Sequence, residues 1–134
     1  MSGAAIAAAA RGLVGASFRL HGRDPATGLD CVGVVLAALD GAGCGVADVN
    51  GYRLRTADAD HAAGVIAGAG LARVDAPQVG DVALMRAGGV QLHLGIVTES
   101  GLVHADAHLR RVVERPGTPP SPVIAWFRAG GEGG

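Results

Sequence analysis

The 134-residue chain contains no lysine, only two cysteines and four aromatic residues, and no long uninterrupted apolar run. Each shortage removes a class of function. Cys31 and Cys44 lie thirteen positions apart with no CxxC pair and no nearby histidine ligands, which fits neither a disulfide framework nor a zinc site. Reduced thiols and the absence of a metal or other cofactor are the expectation. So few aromatic side chains give bases nothing to stack on, and the eleven basic residues, all arginine, are scattered through a chain of net charge −1. Nucleic acid is therefore discounted as a partner. No stretch approaches the ~18 apolar residues of a membrane span. The alanine-rich start lacks a basic n-region and is interrupted by Arg11, so it does not read as a signal peptide, and synthesis and folding in the cytoplasm are expected.

What the chain does have is 49% apolar residues and 23 glycines, enough for one loop-rich domain, expected over residues 1–129 with a disordered tail at 130–134. Residues 4–14 read as a helix, with Ser2 as a cap, Gly15 as a stop and Ile6, Ala9, Ala10 and Leu13 as the buried stripe. Residues 17–29 read as an irregular loop. Val32, Val35, Leu36 and Leu39 then recur at helical spacing behind Asp30, a natural N-cap, and this puts Cys31 in the first turn of a helix ending near Gly41. A further helix is expected at 57–69. Later segments read as strands at 81–85, 93–98 and 102–105, with shorter ones at 112–114 and 124–127. Helices followed by an antiparallel sheet give an α+β fold.

The first turn of a helix offers unpaired N–H groups and the positive end of the macrodipole, both of which favour a thiolate. A cysteine in an apolar helix is by default a small buried hydrophobe, so Cys31 becomes a candidate nucleophile only in company. His93, at the head of a strand, is the candidate base. For a third group that orients His93, the register of the following hairpin decides. A turn centred on Thr98 and Glu99 makes His104 the direct partner of His93. A loop of residues 98–101 puts His104 opposite Gly95, diagonal to His93 and on the same face; an odd loop without a bulge separates the two faces. His108 is the direct partner only if Ser100 and Gly101 alone form the turn. His104 is preferred, with His108 and Asp106 behind it. Arg19 and Arg23 flank the nucleophile helix and are either solvated or available to substrate carboxylates. His21 and His61 read as surface residues, Cys44 as a loop or core thiol, and Tyr52-Arg53-Leu54-Arg55 as a structural segment.

Four ordered blocks carry a family resemblance: Leu13-Val14-Gly15-Ala16-Ser17-Phe18-Arg19 followed by Gly28-Leu29-Asp30-Cys31-Val32-Gly33; Pro77-Gln78-Val79-Gly80-Asp81-Val82; His93-Leu94-Gly95-Ile96-Val97; and Leu102-Val103-His104-Ala105. Together they resemble the NlpC-type peptidoglycan peptidases. More loosely, residues 108–114 and 124–128 resemble the compact cell-wall peptidases of phage tails and gene transfer agents. The resemblance implies a papain-like fold, with N-terminal helices and a helix-start nucleophile packed on a small antiparallel sheet. It also implies a cysteine endopeptidase acting on the stem peptide of peptidoglycan through a thioester, with Cys31, His93 and His104 as catalytic residues and the Cys31 N–H in the oxyanion hole. Asp30 and Arg19 are the implied substrate contacts. A phage-like tail particle is the implied partner and route to the wall. Two departures stand out: Phe18 where many relatives have a tyrosine hydroxyl, and Val32 where many have serine. The alternatives are a cytoplasmic amidase or acyltransferase on wall fragments or γ-glutamyl compounds, and a catalytically weak tail or assembly protein that keeps the fold.

Overall fold

The computed structural model describes residues 3–44, 59–86 and 91–129. Ser2, the segment 52–55 and the tail at 130–134 lie outside the described residues. The expected α+β order holds. Helix α1 (Gly3–Arg11) is followed by a small hairpin of β1 (Arg23–Asp24) and β2 (Gly28–Leu29), then by α2 (Cys31–Gly41) and α3 (Ala59–Gly68). Strands β3 (Leu71–Val74), β4 (Val82–Arg86), β5 (Leu92–Val97), β6 (Gly101–Asp106), β7 (Arg111–Pro116) and β8 (Val123–Ala129) complete the chain. The six form one antiparallel sheet in the order β3-β8-β4-β5-β6-β7.

Helix α1 stops three residues earlier than expected. Beyond Arg11 the Leu13 and Val14 N–H groups bond three residues back, to Ala10 and Arg11, and Gly15 takes φ +97° to turn the chain toward Val112. Within it Ile6, Ala7 and Ala10 are buried and Ala9 packs at the margin, as does Leu13 just beyond its end.

Helix α2 sits at the centre because almost every side of it is apolar. Val32, Val35 and Leu39 of the expected stripe are buried, Leu36 is half-buried, and Cys31, Val34 and Ala38 are buried as well. It packs on α1, β5 and β6. Asp30 caps it: the backbone is extended (φ −95°, ψ −172°) and the carboxylate accepts the Gly33 N–H at 2.8 Å. The turn between β1 and β2 follows from Asp24-Pro25, where the Asp24 carboxylate accepts the Ala26 N–H at 2.9 Å.

The sheet divides its side chains between two faces. Leu92, Leu94 and Ile96 of β5 enter the main core with α2, whereas Ala83, Met85 and Leu102 gather on the other face beside Trp126. Met85 is the register partner of His93, so His93 belongs to that second face. Between β5 and β6 the pairs are Ile96 with Val103 and Val97 with Leu102, closed by a Thr98 N–H to Gly101 carbonyl bond of 2.9 Å. This is the 98–101 loop among the registers considered. Arg11 reaches across to hold it, contacting Glu114 at 3.1 Å, Ser100 at 3.2 Å and Glu99 at 3.2 Å, while Thr98 donates to Glu114 at 2.7 Å. At the start of β4, where the Asp81 carbonyl accepts the Val97 N–H, buried Asp81 accepts two side-chain bonds from Arg128, at 2.9 and 2.8 Å, and one from the Gln78 N–H at 2.7 Å.

The first turn of α2 touches the preceding loop backbone to backbone. A Cβ on Gly33 collides with the Gly22 carbonyl oxygen, and one on Gly22 collides with the Gly28 carbonyl. Gly33→Ala is expected to cost about 1–3 kcal/mol, because the displaced atom belongs to backbone and has no rotamer to change. Urea unfolding should show a lower midpoint at unchanged slope.

Candidate active site

Three elements converge on Cys31: the loop before α2, the first turn of α2 itself and the start of β5. The thiol is buried, with 7% of the residue exposed, and the N–H groups of Leu94 and Val32 face the sulfur. Burial dominates its electrostatics and pushes the thiol up to about 12; the Leu94 N–H pulls the other way, Asp30 adds to the rise, and Val32 and Arg23 oppose it. As the residue after His93, Leu94 brings the sulfur to the head of the strand that carries the histidine. Cys44, the other thiol, is buried in the same core cluster.

His93 and His104 meet as the diagonal register requires. The Nε2 of His93 lies 2.9 Å from the Nδ1 of His104, and the rings are edge to face with centroids 5.1 Å apart. His93 is half-buried and His104 is buried. Because Nε2 of His93 is engaged, Nδ1 is the nitrogen left for proton exchange with another group. His93 is lowered to about 4, by burial first and by the His104 charge second, with Asp106 opposing both. His104 is lowered as well, by burial first, against Asp106, with Arg115 adding to the fall. Asp106 holds its own pKa below the usual range by accepting the backbone N–H groups of Leu109 and His108, each at 2.9 Å. His108 itself is exposed, and its backbone serves Asp106.

The polar residues around the thiol are tied to each other. Besides the Gly33 N–H, the Asp30 carboxylate accepts the His21 N–H at 2.9 Å and Arg23 Nη1 at 2.9 Å, and Asp30 is 8% exposed. His21 holds a left-handed backbone at φ +62° while making that bond, and its ring is exposed. Arg19 is exposed; its backbone pairs with Leu29 and Gly22. Phe18 is half-buried against the main core, with its N–H on the Arg110 carbonyl at 3.0 Å. His61 is exposed on α3.

Two residues named in the sequence take a different place in the structure. Arg23, read there as solvated or substrate-facing, is an ion-pair partner of Asp30 across the small hairpin; the Asp24-Pro25 turn signal seven residues before Cys31 is the cue that carries it. Asp106, a fallback for orienting His93, acts electrostatically on both rings. Among the described residues no group of three His, Cys, Asp or Glu side chains is placed to hold a metal ion, and no helix is long and apolar enough to cross a membrane.

No family model and no curated protein matches the chain. Solved structures do. The NlpC/p60 domain of the peptidoglycan hydrolase SagA is 25% identical with a TM-score of 0.60, matched over 87% of this chain and 90% of that one. NlpC1 from Trichomonas vaginalis (21%, TM-score 0.67) and an NlpC/p60 family protein from Bacillus cereus ATCC 10987 (17%, TM-score 0.67) share the fold over 95% and 94% of this chain. The chain spans 43% and 39% of those two longer proteins. With a small antiparallel sheet behind a helix that begins at Asp30-Cys31, a histidine pair on neighbouring strands and a likeness running over most of the SagA domain, this chain has the α+β fold of the NlpC/p60 peptidoglycan hydrolase domains and is similar to them.

Proposed function

We propose that this chain is a cysteine peptidase that hydrolyses amide bonds in the stem peptide of bacterial peptidoglycan. The observation that carries the reading is the His93–His104 hydrogen bond on the strand whose Leu94 N–H meets the helix-start cysteine, since it leaves His93 Nδ1 out of that bond and fixes the ring. The substrate class comes from the likeness to the SagA hydrolase domain.

In this mechanism Cys31 Sγ attacks the scissile carbonyl carbon while its proton passes to His93 Nδ1. The tetrahedral intermediate collapses, the amine leaves with the proton from His93, and the acyl group remains as a thioester. Water, deprotonated by His93, then releases the carboxylic acid and restores the thiol. For Nδ1 to accept, the His93 proton must sit on Nε2 and be donated to His104 Nδ1, which places the His104 proton on Nε2. His104 thus orients the base. The first-turn N–H of Cys31, which has no carbonyl partner within the helix, is a donor for the oxyanion. Asp30 keeps that turn in place, and exposed Arg19 is the substrate contact on the rim.

Purified protein incubated with peptidoglycan and defined stem peptides tests the reading. Cys31→Ala and His93→Ala should each lower turnover by about 10³-fold or more, and His104→Ala by less, because it removes an orienting partner and leaves the base. A wild-type protein that cleaves none of these substrates sinks the proposal, and cleavage of γ-glutamyl compounds alone favours the amidase alternative. Phe18→Tyr should raise turnover if the oxyanion lacks a donor, with a ceiling of about 10²-fold.

The charge states set the pH dependence. Since His93 falls from 6.5 to about 4, the base stays neutral through mildly acidic pH, and the acid limb of kcat/KM should lie near the lower value. Stability moves the same way. Between those two values the unfolded chain binds the extra proton, so stability falls as pH drops through this window, by on the order of 3 kcal/mol at its foot. Urea midpoints should decline less steeply with acid in His93→Gln than in wild type. Equal slopes contradict the assignment.

A further inference from the structure

The loop before α2 is bound more firmly than a connection needs to be. Asp30 already caps the helix through Gly33, yet its carboxylate also takes the His21 N–H and the Arg23 guanidinium, each at 2.9 Å. Arg23 Nη1 donates in addition to the Gly22 carbonyl at 3.0 Å, and that carbonyl rests against Gly33 over the first turn of α2. One guanidinium therefore touches both the acid that precedes the cysteine and the loop carbonyl that packs on its helix. The side chains are 28% exposed for Arg23 and 11% for Asp30, so the pair is partly withdrawn from water, where charges act more strongly on their neighbours.

We propose that Arg23 is a positioning residue for Cys31: it locks the loop onto the first turn of α2 and holds a positive charge against Asp30, whose negative charge otherwise stands alone beside the sulfur. The purpose of this arrangement rests on the peptidase reading; the geometry does not. Asp30 pushes the thiol up and Arg23 pushes it down. From β5 the sulfur is met by the Leu94 N–H, with His93 next to it neutral above about pH 4, and from α2 by the Val32 N–H. The balance of formal charge at the sulfur is thus set by the Arg23–Asp30 pair.

The test is a thiol titration of the whole protein: alkylation by iodoacetamide as a function of pH, read at Cys31 by peptide mass mapping so that Cys44 does not contribute. Arg23→Gln should slow alkylation about threefold at a fixed pH below the thiol pKa, moving the profile to the alkaline side. Asp30→Asn, which keeps a capping side chain, should speed it and move the profile the other way. Arg23→Lys, which keeps the charge, should stay near wild type. Mere loosening of the loop exposes the sulfur in every variant, so acceleration in both Arg23→Gln and Asp30→Asn overturns the proposal. A profile for Arg23→Gln that superimposes on wild type while its urea midpoint falls overturns it too. Stem-peptide cleavage measured alongside keeps the two readings apart: opposite shifts in a protein that cleaves nothing leave the role of Arg23 standing and remove the peptidase.

Discussion

Burial of the Cys31 thiol is the constraint around which this site is arranged. A sulfur sealed between α2 and β5 gives up the hydration that would stabilise its anion, and the same exclusion of water keeps His93 uncharged. Thiol and imidazole are thus both held in their neutral forms. Separation of charge is unfavourable until something enters that supplies a new partner for it. In the proposed mechanism a scissile carbonyl provides one, because its oxygen takes up negative charge beside the unpaired first-turn N–H groups. Charge is thereby created at the moment of reaction and not stored beforehand.

Such a site works only if its dipoles are fixed in place, and two separate networks do the fixing. On the helix side, Gly22 and Gly33 let the loop lie directly on the first turn, and Asp30 binds three donors from three segments. On the sheet side, Arg11 and Glu114 clamp the turn at 98–101. That clamp is remote from the thiol, yet it selects the strand register. Slipping the β5–β6 pairing by one residue would carry His104 to the other face and break the 2.9 Å bond to His93.

Much of this was legible in the sequence because it depends on local patterns. Asp30 as cap, Cys31 in the first turn and the stripe behind it follow from helical spacing alone, and the strands of the C-terminal half follow from β-branched and apolar runs. The sharing of a face by His93 and His104 was readable up to a choice of turns. That choice was settled by Arg11, a residue 87 positions before Thr98 that no local pattern connects to it. Strand β3 went unread for a similar reason: its four residues carry no alternation of their own, and they become a strand by pairing with β8. Arg23 looked like any loop arginine, since its partner is defined by the curl of a two-residue hairpin. Cores and caps are written locally; ion pairs that cross the chain are not.

Among the described residues, Asp106 is the group that works against burial from the histidine side. Its charge raises both His93 and His104, whereas His104 lowers His93 and Arg115 lowers His104. The carboxylate is kept charged by two backbone N–H bonds in the turn after β6, so it does not need a proton from either ring. In the proposed mechanism the thiol proton arrives on His93, the positive charge spreads toward His104 through their shared hydrogen bond, and Asp106 is the fixed anion that this charge meets. A histidine in third position has no negative charge of its own to offer the base, unlike a carboxylate. The proposed mechanism divides the orienting role and the charge between His104 and Asp106, two residues apart on one strand and therefore on one face.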